Sequence, residues 1–297
     1  MPLSLTPTRI GVLMVFGAII GWSFNFIFSR TLAGVFPPFA FTLMRTTVAL
    51  LVFAPFAARE FLRCWPLMRK RPVFYIFLAL TGIGYYNPLI YISGQTTPAI
   101  NMSLLALSSP VFTLALSRIF LGEPLTFRRL TGLIVALCGV VLLTARGDLT
   151  QLQNLRFHAG DLIMLFAAFI FACYSVGLRR MDPKVTSNAF IFFMFVASFL
   201  FLLPPAAWEI AQGMPMHFTP LTIVGILYLG IVASILCYIC WNGAIARLGP
   251  GNVALLYYTM PLFIGIEAVL LLGEPLRWFH FASGALIIVG VLVATRK

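Results

Sequence analysis

Charge is what this sequence has least of. Only 9% of its 297 residues are Asp, Glu, Lys or Arg, only 8 of them are acids, and 61% are hydrophobic. So little polar material cannot clothe a water-soluble globule, which excludes a soluble enzyme or a soluble binding domain. The three histidines (His158, His217 and His280) are far apart and sit mostly at the edges of apolar stretches, so no metal is expected. Five cysteines (Cys64, Cys138, Cys173, Cys237 and Cys240) lie in or beside such stretches. Cys237-x-x-Cys240 is a weak redox match and reads better as packing on one helical face. No H-E-x-x-H, G-x-S-x-G, Walker or Rossmann pattern occurs, so neither an ATP-driven pump nor a membrane hydrolase is indicated, and no cofactor is expected. No loop between apolar stretches exceeds about 20 residues, which leaves no room for an appended catalytic domain.

What the chain does have is uncharged length. Runs long enough to cross about 30 Å of hydrocarbon as helices recur almost end to end. They are Ile10–Ser29, Val73–Ser93, Ala99–Ser117, Leu162–Leu178, Phe190–Trp208, Phe218–Ala246, Gly251–Gly273 and Trp278–Thr295. Phe36–Ala57, which contains Arg45, and the shorter Leu130–Ala145 make ten. The runs are apolar on every face rather than alternating, which favours helices over barrel strands. The expected fold is therefore an all-α integral membrane protein of ten transmembrane helices. The opening "MPLSLTPTR" and the run after it are read as an uncleaved first span, because the run exceeds a signal h-region and no A-x-A-like site follows.

A net charge of +12 would suggest nucleic acid in a soluble domain. Here most of the 20 basic residues fall in alternate loops, on the side that holds Arg9, Arg69–Arg71, Arg128, Arg129, Arg179, Arg180 and both residues of the closing Arg296-Lys297. This is the positive-inside pattern. It is expected to place both chain ends in the cytoplasm, makes the bilayer the protein's partner, and removes nucleic acid from consideration. It says nothing of oligomeric state.

Sliding the chain against itself by 151 residues brings Leu121-Gly-Glu-Pro-Leu125 onto Leu272-Gly-Glu-Pro-Leu276. Asn101/Asn252, Leu104/Leu255, Leu105/Leu256, Pro110/Pro261, Phe112/Phe263, Gly139/Gly290, Val140/Val291 and Thr144/Thr295 match in the same register. Earlier, Trp22-Ser-Phe-Asn25 is faintly matched by Phe171-Ala-Cys-Tyr174. The expected units are residues 1–148 and 157–297, five helices each. An odd number of crossings per unit makes the second copy enter the bilayer from the opposite side, so the repeats are inverted. Inverted repeats can exchange conformations, which is the structural basis of alternating access.

Ten spans, the paired "LGEPL" turns, "GWSFNFIFSR", the arginine of "FTLMRTTVALL", "GDLIMLFAAFIFACYSV" and the closing "GALIIVGVLV" together resemble the EamA-type members of the drug/metabolite transporter superfamily. The resemblance implies a cytoplasmic-membrane carrier, in a family that includes exporters of amino acids, among them aromatic ones, and of other metabolites and toxic compounds. The expected function is a secondary-active transporter, not an enzyme, that exports a small amphipathic metabolite such as an amino acid. An uptake carrier or exchanger of metabolites or drugs is the alternative, and a membrane enzyme or receptor a remote one. Cargo, direction and coupling ion stay open.

The candidate substrate-binding residues gather where polar and aromatic groups interrupt the apolar spans. They are Trp22 and Asn25 in span one, Arg45 in span two, Tyr85 and Tyr86 in span three, Asn101 and Ser108 in span four, Tyr174 in span six, and Asn252, Tyr257 and Tyr258 in span nine. Asn87 and Tyr91 add to span three, where "GIGYYNPLIY" also permits an irregular backbone. Aromatic walls with a few amides and hydroxyls suit an amphipathic metabolite, and the same side chains also suit core or interfacial packing. Arg45 either holds a substrate carboxylate or ties down backbone carbonyls. Pro110 and Pro261 each remove a helical hydrogen bond near mid-membrane and are the expected hinges. Glu267 is expected to be the only acid well within hydrocarbon; it either couples a proton or reaches water near the span's end. Asp161 is expected to cap the sixth helix. Glu123 and Glu274 are expected to cap helices or pair with arginines in their turns.

Overall fold

The computed structural model of the chain describes residues 6–31, 35–97, 99–145, 147–148, 159–264, 266 and 277–295. All regular structure among them is helical. The elements are α1 (Pro7–Thr31), α2 (Pro38–Met68), then α3 (Pro72–Ala79) and α4 (Tyr86–Thr96) joined by a π-helical turn (Leu80–Gly84). Next come α5 (Ala99–Ala106), α6 (Ser108–Leu121), α7 (Phe127–Thr144), α8 (Ala159–Leu178) and α9 (Ser187–Ala211). A second π-helical segment (Leu229–Leu236) joins α10 (Pro220–Tyr228) to α11 (Cys237–Leu248), and α12 (Pro250–Tyr257), α13 (residues 260–264) and α14 (Trp278–Thr295) follow. Among the described residues, eight helical runs are long and apolar enough to cross a bilayer. With α7 and the α12–α13 pair in the two remaining expected spans, the arrangement is consistent with ten.

The ends of the helices follow from local chemistry. Pro38, Pro72, Pro220 and Pro250 occupy first-turn positions, where a missing N–H costs nothing. Thr126, Thr186 and Thr219 accept a backbone N–H three residues on. α6 stops at Gly122, whose φ of 69° is a left-handed conformation that glycine adopts without strain. α2 runs beyond the expected end of its span because exposed Arg59 and Arg63 carry the helix out of the hydrocarbon.

Contacts between the two halves come in pairs. α1 lies along α11, and α8 lies along α3 and α4. α2 packs on the second π segment, and α9 packs on the first. The two self-paired contacts, α2 with α9 and α7 with α14, lie where a two-fold relation requires them. At the α7–α14 seam a Cβ on Gly132 would sit 2.5 Å from the Ala294 nitrogen, and one on Gly290 would sit 2.6 Å from the Gly132 oxygen. Backbone-to-backbone approach of this kind is how helices associate without a hydrophobic driving force.

Between α1 and α11 two sequence features explain one another. A Cβ on Gly17 would lie 3.5 Å from the Cys240 sulfur, and one on Gly21 would collide with the Cys237 sulfur. The Gly17-x-x-x-Gly21 face thus seats the Cys237-x-x-Cys240 face, and both cysteines are free thiols. Packing accounts for the cysteine pair.

Candidate functional site

Arg45 is only 1% exposed, so its charge depends on protein partners. Nη1 donates to Tyr91 Oη (2.7 Å), Asn25 Oδ1 (3.3 Å) and Asn87 Oδ1 (3.3 Å). Nη2 donates to the Leu229 carbonyl (3.1 Å) and to Ser234 Oγ (3.1 Å). Three partners belong to the first repeat and two to the second, so a single guanidinium ties the halves together. The π segment supplies the carbonyl: Leu229 also accepts from Ser234 Oγ at 2.7 Å, across five residues. Widened turns of this kind recur at functional sites. Nε of Arg45 is buried and has no hydrogen-bond partner.

Aromatic rings from both repeats surround this knot. Trp22 contacts Phe171, Tyr238 and Trp241 at ring separations of 5.2–5.6 Å. Tyr86 stacks on Phe171 at 4.6 Å, and Trp241 meets Tyr257 edge-on at 5.8 Å. Two cross-repeat bonds cap the π segments: Trp22 Nε1 donates to the Ala233 carbonyl (2.8 Å), and the Tyr238 hydroxyl donates to the Gly82 carbonyl. Gly82 and Ala233 are related by the 151-residue shift.

The same shift relates the breaks in the fourth and ninth spans. α5 gives way to α6 at Leu107, and α12 gives way to α13 at Tyr258–Thr259, each just before its proline. The Tyr258 hydroxyl donates to the Leu107 carbonyl at 3.1 Å, so the two breaks touch.

A model of the EamA-like transporter family matches residues 9–145 and again residues 158–296. The chain belongs to this family. An Archaeoglobus fulgidus protein named only as a transporter is 31% identical over 220 residues, covering 74% of this chain and 75% of its own. A Streptantibioticus cattleyicolor protein named a probable terminal-alkyne amino-acid exporter is 28% identical over 219 residues, covering 73% and 71%. A Salmonella typhimurium protein named a probable amino-acid metabolite efflux pump is 28% identical over 203 residues, covering 66% and 67%. A solved crystal structure superposes with a TM-score of 0.76 over 96% of both chains at 21% identity, a likeness of fold. The chain is accordingly a multi-pass membrane protein of an EamA-like transporter family.

Of the candidate residues, Trp22, Asn25, Arg45, Tyr86, Tyr174 and Tyr257 come together in or beside the knot. Tyr258 bridges the breaks, and Ser108 begins α6 at the first of them. Tyr85 lies apart: it is 44% exposed and packs on Phe201 at 4.5 Å, because the π turn swings it to the outer face of its span. Asn252 also lies apart, at the end of the bundle that holds α1's N-terminus. It accepts from Arg129 Nη2 (3.1 Å), whose Nη1 is 3.5 Å from Glu123. The Glu123 carboxylate lies over the start of α12, where a Cβ on Gly249 would be 3.1 Å from Oε1 and one on Gly251 would collide with Oε2. The Gly-Glu-Pro turn is thereby latched to the ninth span, which fits the ion-pairing role expected of Glu123. Asp161 lies in the first turn of α8, where the helix dipole favours an acid. Asn101 belongs to α5, but its side chain, Glu267 and Glu274 lie outside the described residues.

Asn242, Tyr238 and Trp241 were not singled out from the sequence, since nothing in "CYICWNGA" distinguishes a lining face from a packing face. Glu209 was also missed as an acid within the bundle. It is 4% exposed and accepts from the Phe39 (3.2 Å) and Ala40 (2.8 Å) nitrogens, capping α2, whose preceding Pro37 offers no cap of its own. The missing cap was legible; the distant acid that replaces it was not.

Proposed function

We propose that the protein is a secondary carrier that exports a small amphipathic metabolite bearing a carboxylate, such as an amino acid, by alternating access between its two repeats. The observation that carries this reading is Arg45: a fully buried cation with an unpartnered Nε–H, walled by aromatic rings of both repeats. A carboxylate offers the acceptor that Nε lacks, and the rings accept an apolar side chain. The names of the two relatives linked to amino acids support the same class. The breaks preceding Pro110 and Pro261 serve as hinges. The positive-inside pattern supports a cytoplasmic position for both chain ends. The Glu123–Arg129–Asn252 latch then lies on the cytoplasmic side, and inward opening requires its release.

Counterflow into proteoliposomes, with a panel of labelled amino acids and the amines left by removing their carboxyl groups, tests the reading. Apolar and aromatic amino acids should exchange and their amines should not. Equal exchange of acid and amine would remove the role given to Arg45.

A further inference from the structure

Among the described residues two side-chain nitrogens are buried without a hydrogen-bond partner, Arg45 Nε and Asn242 Nδ2. Asn242, only 7% exposed, lies on α11, where its Oδ1 accepts from the Tyr174 hydroxyl at 2.7 Å. An amide donor buried unpaired opposes folding, and a bound acceptor offsets that cost. The two nitrogens lie at different depths. Ser234, Tyr238 and Asn242 follow one another at four-residue steps and so share one face of their span. Ser234 Oγ accepts from Arg45 Nη2, which fixes the depth of the guanidinium. Asn242 is two turns further on, roughly 12 Å nearer the end of α11. Tyr238 stands midway, its ring 5.4 Å from that of Trp22 and 6.0 Å from that of Tyr174. The order on α1 agrees. Gly17 faces Cys240 and Gly21 faces Cys237, so α1 runs antiparallel to α11, and Trp22 lies one turn before Asn25, another partner of Arg45.

We infer that Asn242 determines specificity in the carrier proposed above. With the cargo's carboxylate on Arg45 Nε and its middle against the Trp22 and Tyr238 rings, Asn242 Nδ2 donates to a second oxygen at the far end of the cargo's side chain. Two hydrogen bonds of about 2.9 Å take up part of the separation and leave roughly 6 Å between the cargo's two oxygens. An amino acid with a para-hydroxyphenyl side chain bridges such a gap and puts an aromatic ring at the level of Trp22 and Tyr238. The inference deepens the carrier reading and rests on it.

The test is counterflow into proteoliposomes of the full-length protein with tyrosine, phenylalanine and tyramine. In the wild type tyrosine should half-saturate at a roughly fivefold lower concentration than phenylalanine, which lacks only the far oxygen. Asn242→Leu should bring that ratio to about one. If Asn242 serves packing alone, the variant would weaken both amino acids alike and leave the ratio where it was, which overturns the inference. Equal half-saturation in the wild type overturns it as well, and this comparison decides alone should Asn242→Leu not fold. Tyramine keeps the phenol and lacks the carboxylate, so it separates the two readings. If it exchanges as well as tyrosine while phenylalanine lags, the role of Arg45 fails and that of Asn242 stands. If tyramine fails while tyrosine and phenylalanine exchange equally, Arg45 stands and Asn242 fails. Exchange of none of the three would overturn both.

Discussion

The two repeats hold the same polar constellation with its parts exchanged. Matching the starts of α2 and α9 puts Met194 opposite Arg45, and the other alignments put Tyr174 opposite Asn25, Tyr238 opposite Asn87 and Asn242 opposite Tyr91. In the first repeat the Tyr91 hydroxyl donates to Asn25 Oδ1 at 3.0 Å. In the second the Tyr174 hydroxyl donates to Asn242 Oδ1 at 2.7 Å. The same Tyr-to-Asn bond is made twice, with the two residue types swapped between helices. The charge, however, is present once. Arg45 makes five bonds that reach both repeats, while Met194 offers only its sulfur to Tyr174 at 3.6 Å. The backbone is close to symmetric and the electrostatics are not. Under the proposed carrier mechanism, a symmetric scaffold would give two ways to open, and one buried cation would give the cargo one orientation and make the two openings unequal in energy.

The largest effects should come from altering that charge. Met194→Arg would place a second guanidinium where the Tyr174 and Tyr238 hydroxyls already donate to Asn242 and to the Gly82 carbonyl, at roughly 2.5–3.5 kcal/mol on insertion scales. The variant should fail to accumulate as a monodisperse protein in fluorescence size-exclusion chromatography. Arg45→Met would make the repeats alike but remove five charge-assisted bonds at once and take from Asn87 Oδ1 its cationic donor. A loss of about 3 kcal/mol is expected, read as a large fall in melting midpoint, together with loss of carboxylate counterflow. A variant that kept both stability and counterflow would show the asymmetry to be incidental.

Removing the matched hydroxyls sharpens the same contrast. Tyr91→Phe breaks a bond from a charged donor and should cost about 1.5–3 kcal/mol, whereas Tyr174→Phe breaks a neutral one, at about 0.5–1.5 kcal/mol. Equal losses in thermal or denaturant unfolding would mean that Arg45 re-pairs easily, contrary to its role as a tie. Asn25→Asp should act in the other direction: a fixed carboxylate beside Nη1 satisfies the cation and raises the melting midpoint. It should also weaken the transported acid roughly tenfold in half-saturating concentration.

How far all this is legible in the sequence differs by level. Span positions, the repeat and the breaks before Pro110 and Pro261 follow from hydropathy and from two prolines in one register, because those signals are local or periodic. The π turn at Leu80–Gly84 was signalled by Gly82, Gly84 and Pro88, but its counterpart at Leu229–Leu236 carries Gly230 alone and was silent. The swapped pairs were hidden for a related reason: Tyr opposite Asn is not an identity, so alignment passes over it although the hydrogen bond is conserved in geometry. Tyr85 was grouped with Tyr86 because neighbours on a helix share a neighbourhood in sequence, and the widened turn then sent them to different faces.

The smallest effect concerns the place where the repeats touch at their breaks. Tyr258 and Leu107 are equivalent positions, yet the bond between them runs one way, from the tyrosine hydroxyl to the leucine carbonyl. Tyr258→Phe removes that bond and little volume, so a loss of about 0.5–1.5 kcal/mol is expected. If the contact steadies the hinges and does not touch cargo, counterflow should keep its half-saturating concentration and change only in maximal rate. A moved half-saturating concentration with an unchanged rate would instead put Tyr258 on the cargo. The symmetric element would then also take part in recognition, and the division between a symmetric frame and an asymmetric charge would fail at this residue.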